Sequence, residues 1–232
     1  MVFLIRKTQK IQIEKRYKVE RQIMELQLQS LQKQVDPHIT FNALNSINSL
    51  IYKEDKEKAF QFISNFSGLI RRSLVNSDKI ATTLNEEINF TKDYLEMQKL
   101  LLKDKLEYSF EIDENVRPDI LVPKMCIHTY VENAIKHGLR DNQSKGKINI
   151  GIQKTDGRIL INVKDNGQGR GKVKNSSARS TGKGIKIINT IYDLYYQLYK
   201  VKVVSKITYL YSNDGDPAGT EVLIEIPIKI KK

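Results

Sequence analysis

The chain has 232 residues, enough for one or two domains, and 40% of them are hydrophobic, enough to bury a real core. A single cysteine, Cys126, excludes a disulfide framework and fits a reducing compartment, while the net charge of +12 points to anionic partners such as nucleic acid or a membrane surface. No run approaches the roughly twenty apolar residues that a bilayer span needs, and Met1–Ile5 is too short for a signal peptide.

The first stretch carries much of the charge. Arg6, Lys7, Lys10, Lys15, Arg16, Lys18 and Arg21 stand against only Glu14 and Glu20. Such a block, just after five apolar residues, reads as the cytoplasmic flank of a membrane helix ahead of Met1. No recognition motif accompanies it, so nucleic acid is not expected as a partner. From Ile11 to Val35 there is no Pro or Gly, and Tyr17, Met24 and Leu31 recur every seven residues, with Leu28 and Val35 at the alternate seam position. That spacing fits a parallel two-stranded coiled coil, with a single amphipathic helix packed on its own domain as the alternative.

Pro37 breaks the helix, with Asp36 as a cap and Pro at the first helical position of the next. His38 therefore sits in a first turn after a break, with Phe41, Asn42 and Asn45 on the same face. An imidazole near a hinge, with amides able to fix its tautomer, is what a phosphoacceptor needs, although a lone surface His is more often inert. Residues 55–76 and 85–104 are expected as two amphipathic helices, the first with Phe60, Ile63, Phe66 and Ile70, the second with Ile88, Tyr94, Leu95 and Leu101. Ser77-Asp78 and Thr82-Thr83 mark the break between them.

Leu106, Tyr108, Phe110 and Ile112 alternate as a strand, Val116-Arg117-Pro118 is a turn, and Val122-Pro123 precedes another helix. In that helix Ile127, Val131, Ala134 and Ile135 form an apolar face, Asn133, Lys136 and His137 a polar one, and Gly138 a C-terminal stop. An oxygen donor, a cation and an imidazole on one face suit a metal-bound polyphosphate, although a merely solvated face has the same pattern. Residues 146–154 and 158–164 form a hairpin around Asp156-Gly157. Asp165-Asn166-Gly167-Gln168-Gly169 follows it, Ser180-Thr181-Gly182-Lys183-Gly184 opens a further helix, and Gly219-Thr220 leads into the apolar run 221–227. The polar, basic segment 170–180 between the two glycine clusters reads as a lid over a ligand or as an ordinary loop. No Gly-x-x-x-x-Gly-Lys-Ser/Thr sequence is present, which argues against a P-loop NTPase.

The order Val131–Gly138, Asp165–Gly169, Ser180–Gly184 and Gly219-Thr220 resembles the N box, two glycine boxes and terminal Gly-Thr of the GHKL (Bergerat) ATP-binding domain of sensor histidine kinases, type II topoisomerases and heat-shock chaperones of the 90 class. Gln34–His38 with Phe41-Asn42 and Leu44–Ile47 resembles the histidine box of LytS/YehU-type sensor histidine kinases; Ile39-Thr40 stand where that family has Phe-Leu or Phe-Ile. Leu84–Glu87 and Tyr94–Gln98 resemble the family's connector.

The resemblance implies an α+β chain in three parts: a juxtamembrane coiled-coil helix over 1–35, a helical dimerisation and phosphoacceptor region over 36–104, and a GHKL α/β sandwich over 105–232. It implies ATP and Mg²⁺ as cofactors, with Asn133 on Mg²⁺, Lys136 and His137 toward the phosphates, and Asp165 accepting the adenine amino hydrogen. Gly167 and Gly169 would lie against the adenine, Gly182 and Gly184 at the phosphate tail, and Thr220 would support the pocket from the last strand. The implied activity is ATP-dependent autophosphorylation of His38 in a homodimer, followed by transfer to an Asp of a response regulator, with the LytTR type a candidate, at the cytoplasmic side of the bacterial inner membrane. Glu132 is a candidate to assist His38 or a plain surface ion-pair former, and the base for His38 stays open because no acid directly follows it. The rival reading is a catalytically silent GHKL module that binds ATP and acts as a nucleotide-gated interaction protein.

Overall fold

The computed structural model describes residues 9, 11–13, 47–48, 51–52, 56–75, 79–102, 105–139, 145–167 and 183–228. His38, the lid segment, Gly169 and Gly182 lie outside the described residues, as does the expected coiled coil save for helical positions at 11–13.

Helix α1 (Lys56–Val75) buries Ala59, Phe62 and Leu69. The expected face is only partly the buried one: Phe66 packs half-buried against the core, while Phe60 is 77% and Ile63 43% exposed. Apolar residues occupy two adjacent stripes of this helix, and helical spacing alone does not say which meets the core. Strand β1 (Ala81–Thr83) follows and runs straight into helix α2 (Leu84–Leu101). Thr83 caps that helix: its hydroxyl accepts the Glu86 N–H at 3.2 Å, and its own N–H donates to the Glu86 carboxylate at 3.0 Å. This capping box stabilises the helix start by about 1 kcal/mol.

Strand β2 (Leu106–Ile112) comes next, then β3 (Leu121–Pro123), which pairs antiparallel with β1. The expected break at 82–83 and the approach to the next helix at 122–123 are thus the two halves of one small ribbon. Helix α3 (His128–Asn133) loosens into a π-helical turn over Ala134–Leu139, which places Gly138 inside the helical winding and not at its stop.

The main sheet contains β2, β4 (Gly146–Thr155), β5 (Arg158–Asp165), β6 (Val204–Tyr211) and β7 (Pro217–Pro227), in the order β2-β4-β5-β7-β6. Only β2–β4 is parallel; the other three pairings are antiparallel. Asp156 (φ 46°) and Gly157 (φ 72°) close the β4–β5 hairpin with the two left-handed residues that a type I′ turn needs. Alternation then sends Ile148, Ile150, Ile152, Ile159, Ile161, Val163, Val222, Ile224 and Ile226 to one buried face. Helix α4 (Lys183–Tyr199) contributes Ile188, Ile191 and Tyr195 to the same core, and α3 with the residues flanking it contributes Ile127, Val131 and Ile135. The result is an α+β architecture, helices on one face of a mixed five-stranded sheet. No helix among the described residues is long and apolar enough to cross a membrane.

Candidate active site

Strand register builds one end of the site. Asp165 is the last residue of β5 and pairs with Thr220 on β7. Its side chain is buried and its Oδ1 accepts the Gly167 N–H at 2.8 Å, so the first glycine box begins by folding back onto its own aspartate. Burial raises the Asp165 carboxyl to about 6, against the opposing pull of hydrogen bonds from the Gly167 N–H and from the N–H and hydroxyl of Thr220. Among the described residues no charged partner contributes to that balance. Asp165 is thus a buried acceptor whose charge state depends on nearly neutral pH.

Two neighbours of Asp165 within the quoted motifs take their parts from the structure. Gly219 has φ +142°, and a methyl group built on it would lie 2.0 Å from the Asp165 carbonyl oxygen. Only glycine allows β7 to pass this close. Asn166 clips the turn after β5 to the start of β4: its Oδ1 accepts the Lys147 N–H at 2.6 Å and its Nδ2 donates to the Lys145 carbonyl at 3.0 Å. An Asn before a Gly is a turn signal in its own right.

Helix packing builds the other end. A methyl group on Gly184, in the first turn of α4, would lie 3.6 Å from Asn133 Oδ1 and 3.7 Å from Thr129 Cγ2. Gly184, the last residue of the second glycine box, therefore stands close to the N box. Lys136 Nζ meets Glu132 Oε1 at 2.6 Å, with both side chains partly exposed, so these two candidates neutralise one another across one helical turn. His137 lies in the π-helical turn, its side chain outside the described part.

Beneath the N box sits a carboxylate that the motifs did not single out. Glu87, on α2, is buried, and its Oε2 accepts the Met125 N–H at 2.9 Å while its Oε1 accepts those of Ile127 at 3.0 Å and His128 at 3.2 Å. Burial pushes its carboxyl above the ordinary range, and the three N–H donors oppose that shift. The imidazole of His128 packs edge-on against Phe90 and Tyr94 of α2, with centroids 4.9 and 4.6 Å away, and burial holds it below its usual pKa. It is a core residue and not a site residue.

Residues 26–106 match the family model described as histidine kinase, a span that includes His38 and all of α2. The chain is 27% identical over 216 residues to the sensor protein LytS of Bacillus anthracis, covering 90% of this chain and 35% of that protein. Over most of its length this chain is similar to sensor histidine kinases. It is also 34% identical over 143 residues to the sensor histidine kinase YpdA of Escherichia coli K12, covering 62% of this chain and 25% of YpdA. The chain thus spans about a third of the length of LytS, at 35%. Among solved structures, the histidine kinase domain of the blue-light activated kinase from Erythrobacter litoralis is similar, with a TM-score of 0.47 and 15% identity over 93% of this chain and 94% of that one.

Proposed function

We propose that this chain is the kinase part of a two-component sensor: it binds ATP with Mg²⁺ between Asp165 and Asn133, and transfers the γ-phosphate to His38. The observation that carries the reading is the convergence of separate motifs, Asp165 with Thr220 on adjacent strands and Gly184 against Asn133 across two helices. A buried carboxylate without a cation partner among the described residues is poised to accept a hydrogen bond from an exocyclic amine, as adenine carries at the position where guanine has a carbonyl. Asn133 offers Mg²⁺ a hard amide oxygen. No three His, Cys, Asp or Glu side chains among the described residues form a protein-only metal cage. That donor set fits a Mg²⁺ shared with nucleotide oxygens and water, where the ion neutralises charge on the transferring phosphoryl group.

Each remaining residue has a part in this reading. Lys136 lies one turn beyond Asn133 and supplies positive charge for the phosphates, held in place by Glu132 while the site waits. By the resemblance, His137, Gly167, Gly169 and Gly182 would belong to the same site. The three-part division at 35 and 104, homodimerisation through the first segment, delivery of phosphate to a response-regulator Asp (of the LytTR type or another), and attachment to the inner membrane through a longer parent protein belong to the same proposal. The matched histidine kinase segment, 26–106, supports the catalytic reading over the silent nucleotide-binding alternative, because it contains the acceptor and not only the ATP domain.

The test is incubation with γ-labelled ATP and Mg²⁺. Acid-labile, alkali-stable label that disappears in His38→Gln is the expected result. Label persisting in that variant, or ATP binding with no phosphohistidine at all, would leave the silent module as the better reading.

A further inference from the structure

The nucleotide site is assembled on α3, yet α3 begins abruptly. Met125 has φ 62°, a left-handed conformation unusual for a side chain of its size, and Ile127, the residue before the helix, offers no side-chain cap. The amides of Met125, Ile127 and His128 all turn inward into a buried region. Buried N–H groups of this kind need acceptors. All three find one in the same side chain, Glu87, some forty residues earlier in the sequence and on a different helix.

We infer that Glu87 is a positioning residue for the nucleotide site: from α2 its carboxylate holds the turn that launches α3, and thereby sets where Asn133 and Lys136 stand. The inference rests on the reading of Asn133 as part of that site. Both carboxylate oxygens act as acceptors, Oε2 toward Met125 and Oε1 toward Ile127 and His128. Only an anionic or otherwise lone-pair-rich group answers three converging donors; an amide would turn a donor of its own toward one of them. The same junction is fixed twice more. The β1–β3 ribbon joins the residue before α2 to Leu121, and the Lys124 N–H donates to the Ile80 carbonyl at 2.9 Å. His128 itself is wedged between Phe90 and Tyr94 of α2.

The functional consequence follows from chain order. Helix α2 lies between the acceptor-bearing segment and the ATP-binding sheet, so any shift or rotation of α2 carries Glu87 with it. Because α3 takes its starting direction from Glu87, that shift reaches Asn133, six residues past Ile127, without a change in the sheet. Glu87 does not touch the nucleotide; it acts through α3.

Two variants test this, Glu87→Gln and the shorter but charged Glu87→Asp, with Ile152→Ala as a control. Ile152 is fully buried in β4 beside Ile161, away from the Asp165 end of the strands. Nucleotide affinity is read by titration with the Mg²⁺ complex of a non-hydrolysable ATP analogue, and fold stability by melting temperature. Glu87→Gln is expected to weaken analogue binding about tenfold, as loss of an orienting partner does, at a melting loss that leaves Ile152→Ala binding normally. Equal affinity loss in the control at equal melting loss would mean that Glu87 is merely structural. Hydrogen exchange of the unmodified protein supplies a readout that no folding failure can remove. The amides of Met125, Ile127 and His128 should be protected to the level of the β5 amides without nucleotide, and fast exchange there would overturn the inference. Failure of the unmodified protein to bind the analogue would instead count against the ATP site itself, leaving the amide protection to judge Glu87.

Discussion

At the Asp165 end of the site the geometry is imposed by backbone: β5 and β7 are paired residue for residue, and the chain at Gly219 passes where no side chain fits. At the Asn133 end it is imposed by side chains, with room for about one methyl group between Gly184 of α4 and Asn133 of α3 and a partly exposed ion pair on the same helix. The first end is over-determined, and a small change there disturbs the sheet. The second can be altered without unfolding the protein. In the proposed reading the two ends divide along two tasks, a rigid socket for a base and an adjustable grip on phosphates.

The sharpest way to break this contrast is to place the same methyl group at each end. Gly219→Ala drives a Cβ to 2.0 Å from the Asp165 carbonyl oxygen at φ +142°. It should cost about 3 kcal/mol, the upper end of ordinary single substitutions, in denaturant unfolding. Gly184→Ala meets Asn133 at 3.6 Å, ordinary contact, in a helix that prefers Ala. It should leave stability unchanged or raise it by up to about 1 kcal/mol, while ATP-analogue affinity falls.

Asp165 tests the socket by charge. Its carboxyl stands near 6, above the ordinary value of 3.8, because burial disfavours the anion. The sign follows: the folded state holds the proton more tightly than the unfolded chain, so ionisation costs stability as pH rises through about 6. The full effect is about 3 kcal/mol for a shift of this size. Asp165→Asn should therefore gain on the unmodified protein in melting temperature at pH 8, and the gap should close between pH 6 and 4. Adenine nucleotide binding should move the other way, weakening about tenfold or more in Asp165→Asn, and weakening in the unmodified protein below pH 6 as the acceptor is protonated. The smallest effect belongs to Glu132→Gln. Its pair with Lys136 is partly exposed, so stability should change by less than about 1 kcal/mol. A large loss of phosphohistidine formation in that variant would give Glu132 the catalytic part that geometry leaves to the ion pair.

Much of this was legible beforehand, for reasons that differ along the chain. The β4–β5 hairpin was readable because Asp156-Gly157 is a local signal and alternation is unbroken on both sides. The strand β6 was not, because at the sheet edge its residues are mostly exposed or half-buried and the period of two is lost. The three-residue strands β1 and β3 are too short for any periodicity. Of the site, Asp165 and Thr220 could be named from their motifs, but their pairing needed the register. Glu87 was invisible for a different reason: a buried Glu and a surface Glu look alike in sequence, and its partners are backbone amides, which have no letter code. Gly219 stood in the quoted motif, yet its role needed the close approach of β7 to β5 to be seen.

The lone thiol offers a last consequence. Cys126 is wholly buried, burial pushes its pKa up, and it sits between two of the amides that Glu87 receives. An alkylating reagent can reach it only when the turn ahead of α3 opens, so the rate of its modification acts as an intrinsic clock for how often α3 comes loose, and in the proposed reading bound ATP analogue should slow that clock.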